Sequence, residues 1–285
     1  MNDPTVSPLY PARLDRVQVL SPDPAKLCEY YRSILGGTAR ALDGGEWFLA
    51  GPRRKVAFAQ GPANKFGYAA FALGDRDRLA RLAQYLDTKG VSRKPAPAGV
   101  FGGGAFAVDD PDGNLVVFGD KAVDNGAGAA TDTLPGRLQH CVVATADLAA
   151  MMAFYGDVLG FKLSDRVMSD DGAVTAAFYR SDDEHHSFAC FRAPASKLDH
   201  FCFETTCWND IRDWADHLAT LRLTVGWGPG RHGPGDNLFF MLNDPDGNAF
   251  EFSAELERMA ADTPAREWPH EARTLNSWGP AWMRS

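Results

Sequence analysis

A five-residue sequence that occurs twice is the feature that most constrains the fold of this chain. Asp-Pro-Asp-Gly-Asn stands at 110–114 and again at 244–248. Proline presets φ and glycine tolerates positive φ, so each copy is typical of a tight turn. A short apolar run follows each copy, at 115–118 and at 249–252. The sequence therefore predicts the same strand-turn-strand unit twice, and hence an internal duplication.

The duplication extends upstream of the two turns. Residues 13–37 align with residues 137–161. In the second copy, apolar residues recur at helical spacing between Asp147, an expected N-cap, and Gly160, where the helix is expected to end. A strand-like run precedes this helix, and a second helix with strand-like runs around it follows in each half. The sequence predicts an α+β protein of two tandem domains, each with more than one βαβ-like unit.

Changes in composition along the chain suggest where the domains end. We expect an N-terminal domain at 1–125, a linker rich in Gly, Ala and Asp at 126–135, and a C-terminal domain at 136–255. A tail follows at 256–285 and contains three tryptophans. We expect this tail to be irregular and to pack near the functional site.

Composition excludes several classes of protein. A formal net charge of −8 without a basic stripe argues against binding to nucleic acid. No apolar run approaches the roughly 20 residues of a membrane span. The five cysteines form an odd set without CxxC spacing, so we expect free thiols rather than disulfides or a zinc site. The first residues lack the pattern of a signal peptide, and we expect a cytoplasmic protein.

Comparison of the two copies reveals where they differ. The second copy has ligand-type side chains where the first has none: His140 for Arg16, His200 for Tyr68, and Glu251 for Val117. Two histidines and one carboxylate form the facial triad of non-haem Fe(II), which leaves coordination positions open for reactants. A lone strand histidine is more often structural, and a lone glutamate can be a solvated sheet-edge residue. Three coincident replacements favour a catalytic metal site.

Strand alternation predicts that these groups share one face of a sheet. In the segment 200–203, His200 alternates with two phenylalanines, and in the segment 250–252, Glu251 stands between two more. Successive side chains of a strand point to opposite faces. If the phenylalanines enter the core, His200 and Glu251 lie on the other face. A charged side chain there needs a partner, and a metal ion provides one.

Several segments together resemble the vicinal oxygen chelate superfamily, and specifically its two-domain type I extradiol ring-cleaving dioxygenases. The resemblance covers about residues 10–255. Its carriers are LQHCVVATADL at 138–148, FYGDVLGF at 154–161, LDHFCFE at 198–204, GPGRHGPGDN at 228–237 and NDPDGNAFEF at 243–252. The resemblance implies paired βαβββ modules in each domain, forming an open, barrel-like mixed sheet, with a metal only in the C-terminal domain.

The same resemblance implies the chemistry. His140, His200 and Glu251 would be the ligands of Fe(II), with Mn(II) as the alternative. The substrates would be an aromatic diol and dioxygen, and the reaction would be meta cleavage in the catabolism of aromatic compounds, with both oxygen atoms entering the product. Members of this family also suggest a homo-oligomer.

Two further histidines match catalytic positions of the family. His186 matches the acid-base histidine better than His185 does, and imidazole titrates near neutral pH as that role requires. His232 lies in a glycine-rich loop and matches the histidine that contacts substrate. The alternatives are a polar turn at 186 and a mobile surface loop around 232. We expect His217 and His270 to be structural.

One position departs from the family pattern. Members usually place a tyrosine nine residues after the loop histidine, and this chain has Met241 there. Methionine supplies no comparable hydrogen-bond donor. Tyr179 is a candidate replacement, and Phe178, Trp227 and Met241 are candidate pocket residues. The alternatives to ring cleavage are a non-oxidative glyoxalase-like lyase or isomerase and a ligand-binding module without chemistry.

Overall fold

The computed structural model describes residues 6–51, 53–120 and 134–283. Most of the linker predicted at 126–135 therefore lies outside the described residues. Among the described residues, no helix is both long enough and apolar enough to cross a membrane.

The first half contains two successive βαβββ modules. The first module consists of β1 (Arg13–Ser21), α1 (Pro24–Leu35), β2 (Thr38–Ala41), β3 (Trp47–Gly51) and β4 (Arg54–Gln60), with a 3-10 helix at Asp43–Gly45. The second module consists of β5 (Lys65–Ala72), α2 (Arg76–Thr88), β6 (Lys94–Pro95), β7 (Phe106–Asp109) and β8 (Leu115–Gly119).

The second half repeats this order of elements. Its first module consists of β9 (Arg137–Thr145), α3 (Leu148–Met152) continued by a π-helix (Ala153–Leu159), β10 (Lys162–Met168), β11 (Val174–Arg180) and β12 (Phe188–Arg192). Its second module consists of β13 (Lys197–Glu204), α4 (Trp208–Thr220), β14 (Trp227–Arg231), β15 (Leu238–Asn243) and β16 (Ala249–Ala254).

Each half forms one mixed sheet. The strand order is β2-β3-β4-β1-β5-β8-β7-β6 in the first half and β14-β15-β16-β13-β9-β12-β11-β10-β17 in the second, where β17 (Arg266–Pro269) comes from the tail. The two modules of a half join through antiparallel pairing of their first strands, β1 with β5 and β9 with β13. Within the described residues the end strands of each sheet do not pair, so both sheets are open. The predicted fold class is confirmed.

The helix predicted after Asp147 is present, but it is not α-helical throughout. The Asp147 side chain caps its start by accepting a hydrogen bond from the backbone N–H of Ala150 at 3.0 Å. Gly160 ends it with a left-handed φ of 88°. The second part of this helix is a π-helix, in which the N–H of Gly160 bonds to the carbonyl of Tyr155. Sequence spacing alone does not distinguish this wider turn from an α-helical one.

The two repeated turns tie the halves together. The hydroxyl of Tyr31 on α1 donates to Oδ2 of Asp244 at 2.8 Å, across the boundary between the halves. The equivalent hydroxyl of Tyr155 donates to Oδ2 of Asp110 at 3.2 Å. Both turns therefore accept a hydrogen bond from the first helix of the opposite half. These two hydrogen bonds connect the halves.

One hydrophobic core runs through both halves on the helix-covered faces of the sheets. The four phenylalanines predicted to face the core are confirmed there and are fully buried: Phe201, Phe203, Phe250 and Phe252. The opposite faces carry two separate apolar clusters, one in each sheet. The ligand-type residues of the second half lie on the same face of the second sheet as its apolar cluster.

The tail is more regular than the sequence predicts. It adds β17 to the second sheet, parallel to β10, and then forms the short helix α5 (Ala272–Leu275). The indole Nε1 of Trp227 donates to the carbonyl of Pro280 at 2.7 Å, and the Trp227 ring stacks on Trp282 with centroids 5.3 Å apart. The tail thus packs against the strand that leads into the glycine-rich loop.

Candidate metal centre and its cavity

The three candidate ligands come from three adjacent strands, β9, β13 and β16. His140 Nε2 lies 3.4 Å from His200 Nε2, and each of these nitrogens lies 3.3 Å from Glu251 Oε2. Two ligands about 2.0 to 2.2 Å from one ion, at a right angle to each other, are about 3 Å apart. The spacing of these atoms fits one shared ion.

Hydrogen bonds behind each imidazole determine which nitrogen faces this centre. His140 Nδ1 donates to Oε1 of Gln139, and His200 Nδ1 donates to Oδ1 of Asp199, both at 2.6 Å. The Gln139 amide is oriented because its NH₂ donates to Glu184 and to the carbonyl of His186. Since these oxygens only accept, both histidines carry the proton on Nδ1. In the neutral form of each ring, Nε2 therefore presents a lone pair.

The electrostatics of the site favour a cation between the three donor atoms. Glu251 is an acidic side chain with only 1% of its surface exposed. Three lone-pair-bearing atoms 3.3 to 3.4 Å apart repel one another when no proton lies between them. A divalent ion at their centre removes the repulsion, so the donor set fits a metal.

A cysteine also lies next to the centre. The Cys202 sulfur lies within 4.8 Å of the ligand atoms of His140 and Glu251, and His140, Cys202 and Glu251 form the one ligand-type cluster of this kind among the described residues. Burial raises the pKa of Cys202 well above its usual range. His200 offers another third donor, since its Nε2 lies 3.3 Å from Glu251 Oε2, the same distance as His140 Nε2.

The equivalent place in the first sheet is filled by a cation of the chain itself. Arg16 donates from Nε to Oδ2 of Asp15 at 3.0 Å, and its guanidinium lies 4.9 Å from the ring centroid of Phe48. Tyr68 and Val117 belong to the apolar cluster on this face. A buried guanidinium repels a metal ion and supplies no lone pair. Within the described residues, this face offers no set of metal ligands.

A cavity opens in front of the three donor atoms. Most of its wall is apolar, and the apolar lining residues include Val142, Phe178, Phe191, Trp227, Met241 and Leu275. Among its described lining residues, Glu251 is the one carboxylate, and neither lysine nor arginine is present. Phe178, Trp227 and Met241, the predicted pocket residues, line this cavity.

The two predicted catalytic histidines also line the cavity. The ring of His186 lies beside His140 with centroids 4.3 Å apart. Burial lowers the pKa of His140, and lowers that of His186 well below its usual range, so both rings are neutral at physiological pH. His232 Nε2 lies 3.6 Å from Glu251 Oε1, while its Nδ1 donates to the carbonyl of Leu275 in the tail.

The prediction that Tyr179 lies in the pocket is wrong. Its hydroxyl donates to the carbonyl of Met152 at 3.3 Å, and the side chain belongs to the core under α3. Phe178 precedes it on β11 and lines the cavity, and neighbours on a strand face opposite sides. His217 and His270 do not reach the cavity and bond to Ile34 and Thr175 instead.

The profile of the Glyoxalase/Bleomycin resistance protein/Dioxygenase superfamily matches residues 13–118 and 137–252, the two halves described above. The chain belongs to this superfamily. Apart from the tail strand, the matched segments contain nearly all of both sheets and all three candidate ligands.

Relatives within the superfamily include ring-cleaving enzymes. The chain is 31% identical to a metapyrocatechase 2 of Cupriavidus necator, over 94% of this chain and 88% of the relative. The solved structure of a homoprotocatechuate 2,3-dioxygenase of Arthrobacter globiformis has the same fold, with a TM-score of 0.79 and 23% identity, covering 98% of this chain and 91% of that one. A Mn(II)-bound glyoxalase of Novosphingobium aromaticivorans also matches, with a TM-score of 0.79 and 25% identity over 94% and 91% of the two chains.

Several site residues were not foreseen from the sequence. Val142 lines the cavity and stands two residues after His140 on the same strand, so strand alternation could have placed it on the cavity face. Thr274 and Leu275 line the cavity from the tail, where the sequence carries no comparable signal. His185 lies behind His186 and does not line the cavity.

Proposed function

We propose that this protein is an extradiol dioxygenase, which cleaves the ring of a catechol-like diol with dioxygen at one Fe(II). The ligands would be His140, His200 and Glu251. The observation that carries the proposal is the buried trio of donor atoms 3.3 to 3.4 Å apart, whose lone pairs converge on one point. Similarity to a metapyrocatechase over nearly the whole chain supports the choice of reaction. Mn(II) accepts the same ligands, so the choice of iron over manganese is itself part of the proposal.

Fe(II) bound to this trio would supply open coordination positions that hold a diol and dioxygen side by side and allow electrons to pass between them. The surrounding residues bind and orient the ring. Phe178, Phe191 and Trp227 form apolar walls of the cavity and exclude bulk water from it. The Nδ1 protons held by Gln139 and Asp199 keep the two imidazole ligands in the coordinating tautomer.

Proton transfer would fall to the two other histidines. His232 donates from Nδ1 to the carbonyl of Leu275, so its Nε2 has a lone pair to accept a proton or hydrogen bond from a diol hydroxyl. The neutral ring of His186 lies beside His140. In this position it can take up a proton from the substrate and return it to the product oxygen.

The cavity wall also indicates the class of diol. Among the described lining residues, Glu251 is the one acidic side chain, and neither lysine nor arginine is present. Glu251 is itself a proposed metal ligand. A substituent carrying a carboxylate would lose its hydration here without gaining a counter-charge. Met241 adds a polarisable apolar side chain where the family usually has tyrosine. We therefore propose a catechol whose ring substituents are uncharged and apolar.

A second candidate is a metal-dependent lyase or isomerase without oxygen chemistry. Two observations favour it: the absence of a tyrosine hydroxyl at Met241 and the similarity to a Mn(II)-bound glyoxalase. A neutral histidine beside a metal-bound carbonyl compound could serve proton transfer between carbons. The two candidates differ in their need for dioxygen.

The test is anaerobic reconstitution with Fe(II), followed by oxygen uptake and absorption spectra with catechol, 3-alkylcatechols and biphenyl-2,3-diol. We expect one dioxygen consumed per diol and a yellow ring-opened product. His200→Ala should abolish uptake, whereas His217→Ala, on α4 and away from the cavity, should not. Metal binding without oxygen uptake for any diol would favour the lyase, which is then assayed with 2-oxoaldehyde adducts of a thiol.

Three further proposals concern the whole chain. We propose that residues 136–255 form the catalytic domain and that residues 1–125 support it without a metal. We also propose a cytoplasmic location, supported by five free cysteines. The quaternary structure proposed is a homo-oligomer, which size-exclusion chromatography with light scattering tests directly.

A further inference from the structure

A chain of hydrogen bonds runs behind His186, away from the metal centre. His186 Nδ1 lies 2.9 Å from Nδ1 of the preceding residue, His185. His185 Nε2 lies 2.8 Å from Oδ2 of Asp165 on β10. Asp165 and His185 are fully buried and His186 is 4% exposed. The three groups form a line from the cavity into the protein.

The far end of this line is fixed by donors from the tail. Asp165 accepts hydrogen bonds from Arg266 Nε at 2.8 Å, from Arg266 Nη2 at 3.1 Å and from Trp268 Nε1 at 2.8 Å. Burial would raise the pKa of Asp165, but the hydrogen bonds from His185 and Arg266 hold it below its usual range. The group is a carboxylate whose counter-charge is the Arg266 guanidinium. It can only accept, so His185 must donate to it from Nε2.

The proton positions then follow in order along the line. A neutral imidazole with its proton on Nε2 has a lone pair on Nδ1, so His185 Nδ1 accepts. The partner nitrogen, His186 Nδ1, must therefore donate. In the described part of the chain, His186 Nε2 has no hydrogen-bond partner, and this ring lines the cavity. Its lone pair is left facing the place where the substrate would bind.

We propose that Asp165 and His185 are positioning residues that hold His186 with its proton on Nδ1 and its lone pair on Nε2, ready to accept a proton from the substrate. The consequence for the reaction rests on the proposed function, whereas the proton positions do not. Without His185, the two nitrogens of His186 would share the proton, and part of the population would present an N–H where a base is needed. The role is analogous to that of a carboxylate that orients a catalytic imidazole.

The first test determines the proton positions on the imidazole rings and does not depend on enzymatic activity. Long-range ¹H–¹⁵N correlation spectra of the metal-free protein at pH 8, above the ordinary titration range of imidazole, distinguish protonated from unprotonated ring nitrogens. We expect His186 to carry its proton on Nδ1 and His185 on Nε2. In His185→Phe the His186 signals should shift towards a mixture of tautomers. A proton on His186 Nε2 in the unchanged protein would overturn the proposal.

The second test uses two replacements of His185 in the iron-loaded enzyme, with a catechol that it turns over. Glutamine can accept from His186 through Oε1 and donate to Asp165 through Nε2, whereas phenylalanine can do neither. We expect His185→Phe to lower kcat by about tenfold to a hundredfold at nearly unchanged KM, and His185→Gln to retain kcat within about threefold. His217→Phe on α4 is the matched control.

The outcomes separate this proposal from its alternatives. If Asp165 and His185 only anchor β17, both replacements of His185 will lower the melting temperature and leave kcat and the His186 tautomer unchanged, which overturns the proposal. If no diol is turned over, the proposed function fails while the spectra still decide the proton positions. If His185→Phe does not fold, His185→Gln is compared with the unchanged protein in both assays. A loss of kcat in His185→Gln with an unchanged His186 tautomer would contradict the positioning role of His185.

Discussion

Glu204 allows a quantitative prediction about how stability depends on pH. This carboxyl group lies at the end of β13, is 8% exposed, and accepts hydrogen bonds from the Ser253 hydroxyl and from the backbone N–H of Leu256, where the tail begins. Burial raises the pKa of Glu204 from an ordinary 4.5 to about 7. Below pH 4.5 the group is neutral in both the folded and the unfolded chain. Above pH 7 it is charged in both.

Between these values the folded chain keeps a proton that the unfolded chain has lost. The stability associated with the neutral group is therefore fully present below pH 4.5 and is lost as the pH rises through about 7. One pKa unit corresponds to about 1.4 kcal/mol, so the whole effect is on the order of 3 kcal/mol. Glutamine is a neutral isostere that can donate to the Ser253 oxygen and still accept from Leu256. Glu204→Gln should thus stabilise the protein at pH 8 by up to about 3 kcal/mol and change little at pH 4.5.

The assay is urea unfolding of the metal-free protein at several pH values, followed by far-ultraviolet circular dichroism. The control is Glu267→Gln, since this glutamate has an exposed side chain paired with Arg166, and such pairs contribute about 1 kcal/mol or less. A difference between Glu204→Gln and the unchanged protein that is the same at pH 4.5 and pH 8 would refute the reasoning.

The remaining predictions concern the cavity and the tail. Met241→Tyr should raise kcat/KM for unsubstituted catechol by about 5-fold to 150-fold, which corresponds to one hydrogen bond of about 1 to 3 kcal/mol. Met241→Phe, which lacks the hydroxyl, should not raise it. Equal effects of both changes on steady-state kinetics would contradict a role for the hydroxyl. Trp282→Ala removes the ring stacked on Trp227 and should raise KM about 2-fold to 10-fold with kcat unchanged, whereas an unchanged KM would mean that the tail does not shape the cavity. In competition assays, a catechol with a charged carboxylate should bind at least tenfold more weakly than its methyl counterpart, and equal binding would disprove an uncharged substrate class.

Much of the metal centre could be predicted from the sequence because the chain contains its own comparison. Positions that build the fold match between the halves, so the replacements at His140, His200 and Glu251 stand out. Strand alternation then predicts that these side chains share a face, and the structure places all three on the face opposite the phenylalanine core. Both inferences use only neighbours along the chain or equivalent positions of a repeat.

The rest of the site depends on contacts that such patterns do not contain. Phe178 and Tyr179 are adjacent on one strand, so strand alternation predicts that only one of them faces the cavity. Tyr179 is the one buried in the core. Asp165 and Arg266 are separated by 101 residues and meet only because β17 pairs with β10. The carbonyl of Leu275 accepts a hydrogen bond from His232 Nδ1. The sequence does not predict this contact, because every residue has a backbone carbonyl.

The central claim is that both atoms of dioxygen enter a ring-opened product at this centre. The most direct measurement is mass spectrometry of the product formed under ¹⁸O₂ by the Fe(II)-reconstituted protein from an alkyl-substituted catechol. We predict two labelled oxygen atoms in each ring-opened molecule, allowing for exchange of the aldehyde or ketone oxygen with water, and no product from Glu251→Gln. Turnover in the absence of dioxygen, or an unlabelled product formed faster than that exchange, would contradict the account.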